Sequence, residues 1–327
     1  MAPRVSVIIV NYNSKDILNC IKSIRENNFP QDKIEIIVVD NKSSDDSILR
    51  IRKKYKDVKI VELNENYGYG IGCNRGADVA QGKYLIFLTP DNIVSKEWLT
   101  NLVNVIENNK NIGTVTSRIM YYDNKDRINS LGCFLSAYGI CGSVNTLEHL
   151  KPHSLDLFAP SGASFIIAKK TFDKIQGFDE NLFLYAEDVD IGWRVLNLGL
   201  KNVLSPDSVT YHKTELSMLH KSPHFYFYNT RNSLLIIIKN ATLPHIIPMV
   251  AFSSIFHLSR FITFLLTGRI VHAKATFSAV WWFVANLKRV IKIRSSEKNR
   301  NDLYVKSLLG FKESIPILLS KVHRHLT

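Results

Sequence analysis

Val5-Ser6-Val7-Ile8-Ile9-Val10-Asn11-Tyr12-Asn13 is the stretch that decides the fold. Five of its first six residues are β-branched. The run is continuously apolar rather than alternating, so it predicts a strand buried on both faces, as in a parallel sheet. Asn11-Tyr12-Asn13-Ser14 breaks the run, and Ile17, Leu18, Ile21 and Ile24 then recur at helical spacing. The same unit repeats downstream. Ile34 to Val39 reads as a second strand ending on Asp40, with Ser43 and Ser44 available to cap the helix that carries Ile48 and Ile51. Val58 to Leu63 is a third strand, followed by Gly68-Tyr69-Gly70-Ile71-Gly72 and a helix through about Ala80. Tyr84 to Leu88 is a fourth, stopped by Thr89-Pro90-Asp91-Asn92. Trp98, Leu102 and Val105 mark another helix, and Ile112 to Thr116 another strand.

Strand and helix alternating over short links predict an α/β architecture: a mostly parallel, Rossmann-like sheet with helices on both faces. Ligands of such sheets bind outside the carboxyl ends of the strands. Asn11, Asp40 and Asp91 all fall at such ends. From 120 to 160 the pattern weakens into loops, and regular structure resumes at Ser164 to Ala168. Leu184-Tyr185-Ala186-Glu187-Asp188-Val189-Asp190-Ile191-Gly192-Trp193-Arg194 then places three carboxylates within four residues at a helix start. Acidic side chains suit a first turn, where they meet the positive end of the helix dipole. Gathered with Asp40, Asp91 and the later Tyr211-His212, they also suit a site.

The charge is lopsided. The chain has 327 residues and a net charge of +13. Residues 1–222 hold 27 basic and 26 acidic side chains, whereas residues 223–327 hold 15 and 3. The excess of the last third calls for an anionic lipid, a nucleic acid or an anionic carrier. Its four cysteines, Cys20, Cys73, Cys133 and Cys141, form no Cys-x-x-Cys pair and read as reduced thiols. The N-terminus enters a strand without a basic n-region or apolar h-region, so no signal peptide is expected.

Five motifs in order resemble the family 2 glycosyltransferases of GT-A fold, over about residues 4–240. They are the opening strand through Asn13, Ile37-Val38-Val39-Asp40-Asn41-Lys42-Ser43-Ser44-Asp45, and Asn66-Tyr67-Gly68-Tyr69-Gly70-Ile71-Gly72-Cys73-Asn74-Arg75-Gly76. Leu88-Thr89-Pro90-Asp91-Asn92 follows, then Gly177-Phe178-Asp179-Glu180 with Glu187-Asp188. The third motif is similar to the nucleotide-side loop of the rhamnosyltransferase-like branch. The resemblance implies an inverting hexosyltransferase using a UDP- or dTDP-sugar. It implies Asp188 as base with Glu187 in support, and Asn11, Tyr12, Asp40, Asn66, Gly70, Asn74 and Asp91 around the donor. It also implies Mg²⁺ or Mn²⁺ on Asp91 and His212. The chain departs from Asp-x-Asp, having one carboxylate between Pro90 and Asn92. Asp40, read alone, is also a plausible turn-former, His212 a structural strand-end histidine, and Asp190 a solvated helix carboxylate. A dinucleotide site is disfavoured because Gly68-x-Gly70-x-Gly72 lacks a third glycine at the required offset.

In the last third, Leu243 to Leu266 is nearly uncharged, and Trp281-Trp282-Phe283 precedes six basic residues from Lys288 to Arg300. No nucleic-acid motif accompanies them, and apolar segments beside Lys and Arg suit a membrane interface. A span of this length is possible, yet Arg260 and two histidines inside it would be costly. The expectation is therefore a catalytic domain over 1–222 and a basic, aromatic helical membrane-association region over 223–327. The enzyme would lie peripherally on the cytoplasmic membrane face, with one span as the alternative, and act on a lipid-linked or other glycan acceptor. A soluble helical subdomain, a soluble transferase acting on protein or oligosaccharide, and a non-catalytic nucleotide-sugar-binding protein are the competing readings.

Overall fold

The computed structural model describes residues 3–146, 155–213, 222–297 and 299–308. Two compact units divide the chain: Met1–Cys133 with Ser143–Thr214, and Phe134–Gly142 with Glu215–Thr327.

The first unit runs β1 (Val5–Asn11), α1 (Ile17–Arg25), β2 (Ile34–Asp40), α2 (Ser47–Lys54), β3 (Lys59–Glu62), α3 (Tyr69–Val79), β4 (Tyr84–Leu88), β5 (Asn92–Val94) and α4 (Trp98–Asn108). The chain continues through β6 (Ile112–Tyr121), β7 (Ile128–Ser130), the short strands β8 (Cys133–Leu135) and β9 (Cys141–Ser143), which belong mostly to the second unit, and β10 (Asp156–Leu157), then β11 (Ser164–Ala168), α5 (Lys169–Lys174), α6 (Glu187–Asn197) and β12 (Lys201–His212). The main sheet has the order β10-β12-β6-β11-β4-β1-β2-β3, with β5 beside β12 and β7 beside β6. β4, β1, β2 and β3 are parallel neighbours. β11 lies antiparallel between β4 and β6, and β12 runs parallel to β6.

Side chains alternate between two cores, as the period of two requires. Val5, Val7 and Ile9 of β1 join Ile17, Ile21, Trp98 and Leu102 on one face. Ile8 and Val10 join Cys73, Phe172 and Ile191 on the other. Helices therefore cover both faces, which is why β1 reads as unbroken apolar sequence.

Three local expectations are corrected. The strand expected over Ile112 to Thr116 continues to Tyr121, because β12 pairs along its whole length. The described residues of 120–160 include four short strands where loops with an irregular edge are expected. Ser43 and Ser44 do not cap α2, which begins at Ser47; Ser43 turns back onto Asp40 instead. A register shift between Ser205 and Val209 interrupts the pairing of β12 with β6. Pro206 lies inside this shift and cannot donate to the ladder.

The second unit, by itself, contains α7 (Pro223–Asn240), α8 (Leu243–Leu266), α9 (Ile270–Ala285) and α10 (Leu287–Ser296). Ser222 caps α7 by accepting from the Phe225 amide, and Pro223 occupies a first-turn position where no backbone donor is needed. Tyr226 packs edge-on against Phe264 at 4.8 Å and His272 at 5.3 Å, tying α7, α8 and α9 together. None of the four cysteines forms a disulfide.

Candidate active site

The pairing directions bring the functional residues to one edge. β1, β2, β3, β4, β6 and β12 all run the same way, so their carboxyl ends share that edge. β11 runs oppositely, so the segment that enters it, Ser161–Ala163, lies at the same edge. Thr89, just past β4, donates its amide to Ala163 O at 3.1 Å.

At the ends of β1 and β2, Asn11 and Asp40 form one buried polar knot. Asn11 Nδ2 donates to Ser43 Oγ and Ser47 Oγ, each at 2.9 Å, and to Asp40 Oδ1 at 3.3 Å. Ser43 donates its hydroxyl to Asp40 Oδ1 at 2.5 Å and its amide to Oδ2 at 3.2 Å. Asn11 Oδ1 is left buried without a partner. Tyr12 next to it is half exposed, the arrangement of a ring open to a ligand.

The Gly68–Gly70 loop is locked to the segment before α6. Tyr69 N donates to Phe183 O at 3.1 Å, and a Cβ on Gly68 would meet that oxygen at 2.0 Å. Gly68 also has φ +86°, so both backbone and space require glycine. Asn66 Oδ1 accepts from Gly68 N at 3.0 Å. Gly70 is buried, 3.2 Å from Phe178 Cβ by the same Cβ test. Asn74, expected at the donor, is held by the segment before α6. Its amide pairs reciprocally with the Phe178 backbone, accepting from N at 2.8 Å and donating to O at 3.0 Å. Both ends of the side chain are thereby committed to the Gly177 turn.

Asp91 and His212 come together from β4 and β12. His212 Nε2 lies 2.9 Å from Asp91 Oδ2, and Thr89 Oγ1 donates to Oδ1 at 2.6 Å. Burial would raise the Asp91 pKa, but the His212 hydrogen bond and charge together with the Thr89 bond outweigh it and leave it lowered. His212 Nδ1 is buried and unpartnered. No group of three or more His, Cys, Asp or Glu suited to a metal occurs among the described residues. One carboxylate and one imidazole are a partial donor set that a divalent cation would complete with diphosphate oxygens and water. The rest of the motif that follows His212 lies beyond Lys213, outside the described residues.

Glu187 and Asp188 open α6. Tyr185 (φ 71°) and Ala186 (φ 69°) precede them in the left-handed region, a conformation costly for residues with a Cβ. It aims the acidic turn at the sheet edge. Asp188 Oδ2 accepts from Gly162 N at 2.9 Å and lies 3.4 Å from Cys133 Sγ. Oδ1 accepts from Val189 N at 2.8 Å. Desolvation raises the Asp188 pKa against these three donors. Glu187 is raised to about 8 by burial first and the Asp188 charge second, and its Oε2 has no partner. Asp188 itself keeps partial solvent access. Asp190 is not the solvated carboxylate of the sequence reading. It is fully buried and paired with Arg194 at 2.6 Å, while Arg194 Nη1 donates to Gly177 O at 2.6 Å.

Thr89, Gly162, Cys133 and Tyr69 were not singled out from sequence as site residues. Thr89 and Tyr69 sit inside recognised motifs; Gly162 carries no signal of its own.

Residues 6–174 match the profile of "Glycosyl transferase family 2". The chain is 32% identical to the poly(ribitol-phosphate) beta-glucosyltransferase of Bacillus spizizenii over 33% of this chain and 18% of that protein. It is 27% identical to the low-salt glycan biosynthesis hexosyltransferase Agl10 of Haloferax volcanii over 61% of this chain and 65% of that one. The chain thus spans less than two thirds of the length of either curated relative. The structure of Staphylococcus aureus TarS 1–349 in complex with UDP-GlcNAc shares the fold, with TM-score 0.62 and 20% identity over 89% of this chain and 83% of that one. The mannosyltransferase PcManGT from Pyrobaculum calidifontis, in complex with GDP-Man and Mn²⁺, does so with TM-score 0.57 and 16% identity over 98% and 86%. The architecture is GT-A, and with the profile covering just over half its length, the chain belongs to glycosyl transferase family 2.

Proposed function

We propose that the chain is an inverting hexosyltransferase that moves a sugar from a nucleoside diphosphate to a hydroxyl of a glycan or lipid-linked glycan. The observation that carries this reading is Asp188, a partly accessible carboxylate held by Gly162 N–H at the edge where the Asn11–Asp40 knot and the Asp91–His212 pair also lie. One base with no second nucleophile fits single displacement. Asp188 takes the proton of the acceptor hydroxyl as that oxygen bonds to the anomeric carbon. The bond from that carbon to the diphosphate breaks on the opposite face, and the nucleoside diphosphate leaves. A positioned base contributes about 10²–10⁴-fold in rate.

Asp40, preset by Asn11 and Ser43, would accept from a ring N–H of a uracil or thymine base. Tyr12, Asn66 and Gly70 would line the nucleotide, with Asn74 holding the wall. Asp91 and His212 would hold Mg²⁺ or Mn²⁺, which supplies charge for the departing diphosphate. The mannosyltransferase PcManGT and the hexosyltransferase Agl10 support a hexosyl donor. The Asn66–Gly76 loop favours a dTDP-rhamnose-type sugar, and TarS, seen with UDP-GlcNAc, a UDP-sugar.

The second unit supports a membrane partner at the cytoplasmic face. α8 has 24 residues, and its most apolar 18-residue stretch has a mean hydropathy of 1.6 with 28% of it buried, enough in length and composition to cross a bilayer. Arg260 and His257 are buried, with the Arg260 guanidinium 5.2 Å over the Tyr226 ring. The outward face instead presents Ile247, Ile255, Leu258, Ile262 and Leu266. Trp281 and Ile291 on α9 and α10 are exposed as well, which fits helices lying in an interface better than a lone span. Release of nucleoside diphosphate from a panel of UDP-glucose, UDP-N-acetylglucosamine and dTDP-rhamnose, with Mn²⁺, tests the activity. Thermal stabilisation by a member of the panel without any turnover would favour the non-catalytic reading.

A further inference from the structure

The first residue of α3 reaches the candidate base through one glycine. Tyr69 Oη donates to Gly162 O at 2.8 Å, and Gly162 N donates to Asp188 Oδ2 at 2.9 Å. Gly162 is thus gripped at both of its peptide groups, by the donor-side loop and by the carboxylate. The neighbours hold the same segment. Ser161 N donates to Thr116 Oγ1 at 3.1 Å, and Ala163 O accepts from Thr89 N. There is little slack, since a Cβ on Gly162 would sit 3.3 Å from Asp188 Oδ2 and 3.4 Å from its Cβ. Tyr69 is itself fixed by its amide bond to Phe183 O and by edge contact with Phe178 at 6.1 Å.

We propose that Tyr69 is a positioning residue for Asp188, acting through Gly162 to couple the nucleotide-side loop to the base. The proposal rests on Asp188 being the base. Gly162 N–H stabilises the ionised carboxylate, and hydrogen bonds to a charged form favour it. Without the tyrosine hydroxyl the Gly162 carbonyl loses its donor and the segment relaxes. The N–H bond to Asp188 then weakens, and the carboxylate becomes harder to ionise. The titratable groups facing Asp188 are Glu187 on its own helix, Cys133 from β8 and Tyr69 from α3. Cys73 and Tyr185 lie one step further, beside Tyr69 and Glu187.

The test is Tyr69→Phe in the full chain, with Gly162→Ala as a second variant and Asp188→Asn as the control on the base itself. The donor is the member of the panel above that the wild type turns over. Tyr69→Phe should lower kcat about tenfold with donor KM within twofold, and move the acid limb of kcat/KM upward by roughly half a pH unit or more. Gly162→Ala should move the same limb in the same direction. Exchange of the Gly162 amide, read by hydrogen–deuterium exchange of the peptide around 160–165 and independent of any donor, should speed up about tenfold in Tyr69→Phe. An unshifted acid limb, or unchanged Gly162 protection, overturns the proposal. A loss confined to donor KM overturns it too, since that would make Tyr69 a wall of the nucleotide site. If Asp188→Asn keeps transfer within threefold of wild type, the reading of the base fails, a result distinct from a silent Tyr69→Phe beside an inactive Asp188→Asn.

Discussion

His212 Nε2 stands 2.9 Å from Asp91 Oδ2, joining two residues 121 positions apart in the chain. The contact exists because β12 pairs antiparallel with β5, setting His212 opposite Asn92 and so next to Asp91. It supplies a nitrogen donor where the motif Thr89-Pro90-Asp91-Asn92 offers one carboxylate.

That pairing predicts how metal and donor binding fail. Asp91→Ala should weaken Mn²⁺ and sugar-nucleotide binding together by at least tenfold, because ion and diphosphate bind as a unit. His212→Ala should weaken Mn²⁺ less, removing the softer of the two donors. Calorimetric titration of Mn²⁺ with and without nucleoside diphosphate measures both. Full activity in excess chelator would show that the pair is structural.

Asp188→Asn should abolish transfer, by about 10²-fold or more, while donor affinity stays within twofold. The amide keeps the size of the carboxylate but cannot take a proton, and Asp188 is held by Gly162 rather than by the Asn11–Asp40 knot. Turnover and donor affinity on one preparation decide it; transfer within threefold of wild type removes Asp188 from the role.

Glu187 makes stability fall as pH rises. Its pKa is raised by burial and then by Asp188, from the ordinary glutamate range to about 8. The folded state holds this proton more tightly than the unfolded chain. The contribution is therefore complete below about pH 4 and is lost as pH climbs through about 8. The loss is on the order of 5 kcal/mol, spread over that window. Glu187→Gln should flatten the dependence: the variant melts above wild type at pH 8.5 and near it at pH 5. Parallel thermal melts across this range would refute the assignment.

The basic face of the second unit is smaller than its sequence suggests. Arg294 Nη1 donates to Ala241 O at 2.9 Å, and Arg300 donates to the Lys239 carbonyl at 3.5 Å, so both cap the end of α7. Lys298 lies outside the described residues. Lys288, Arg289 and Lys292 are exposed, and interfacial cations contribute about 1 kcal/mol each near an anionic leaflet. Neutralising these three should lower affinity for anionic vesicles by one to two orders of magnitude, with little change for neutral ones. Arg294→Gln should instead lower the melting temperature. Co-sedimentation over a salt series separates the two effects. A wild-type chain left in the supernatant with anionic vesicles at low salt would point to a soluble acceptor.

Local pattern alone determined the parallel half of the sheet, because unbroken apolar runs such as Val5–Val10 occur where both faces are covered. It also placed the polar residues that end such strands at one edge, since parallel neighbours share their carboxyl ends. The acidic start of α6 and the bounds of α8 were equally legible, being set by residues within a turn or two of each other. Tertiary structure alone decided what each polar group does. Asn74 pairs with the Phe178 backbone 104 positions on, a partner that local spacing does not relate to it, whereas Asp190 and Arg194 stand at i, i+4 on α6 and only their burial was beyond local pattern. Gly162 showed nothing until antiparallel β11 brought it to the carboxyl edge beside Asp188. Helical and strand periodicity report which face a residue turns to the core. Hydrogen-bond partners across 26 or 121 positions depend on strand order and direction, which no local window contains.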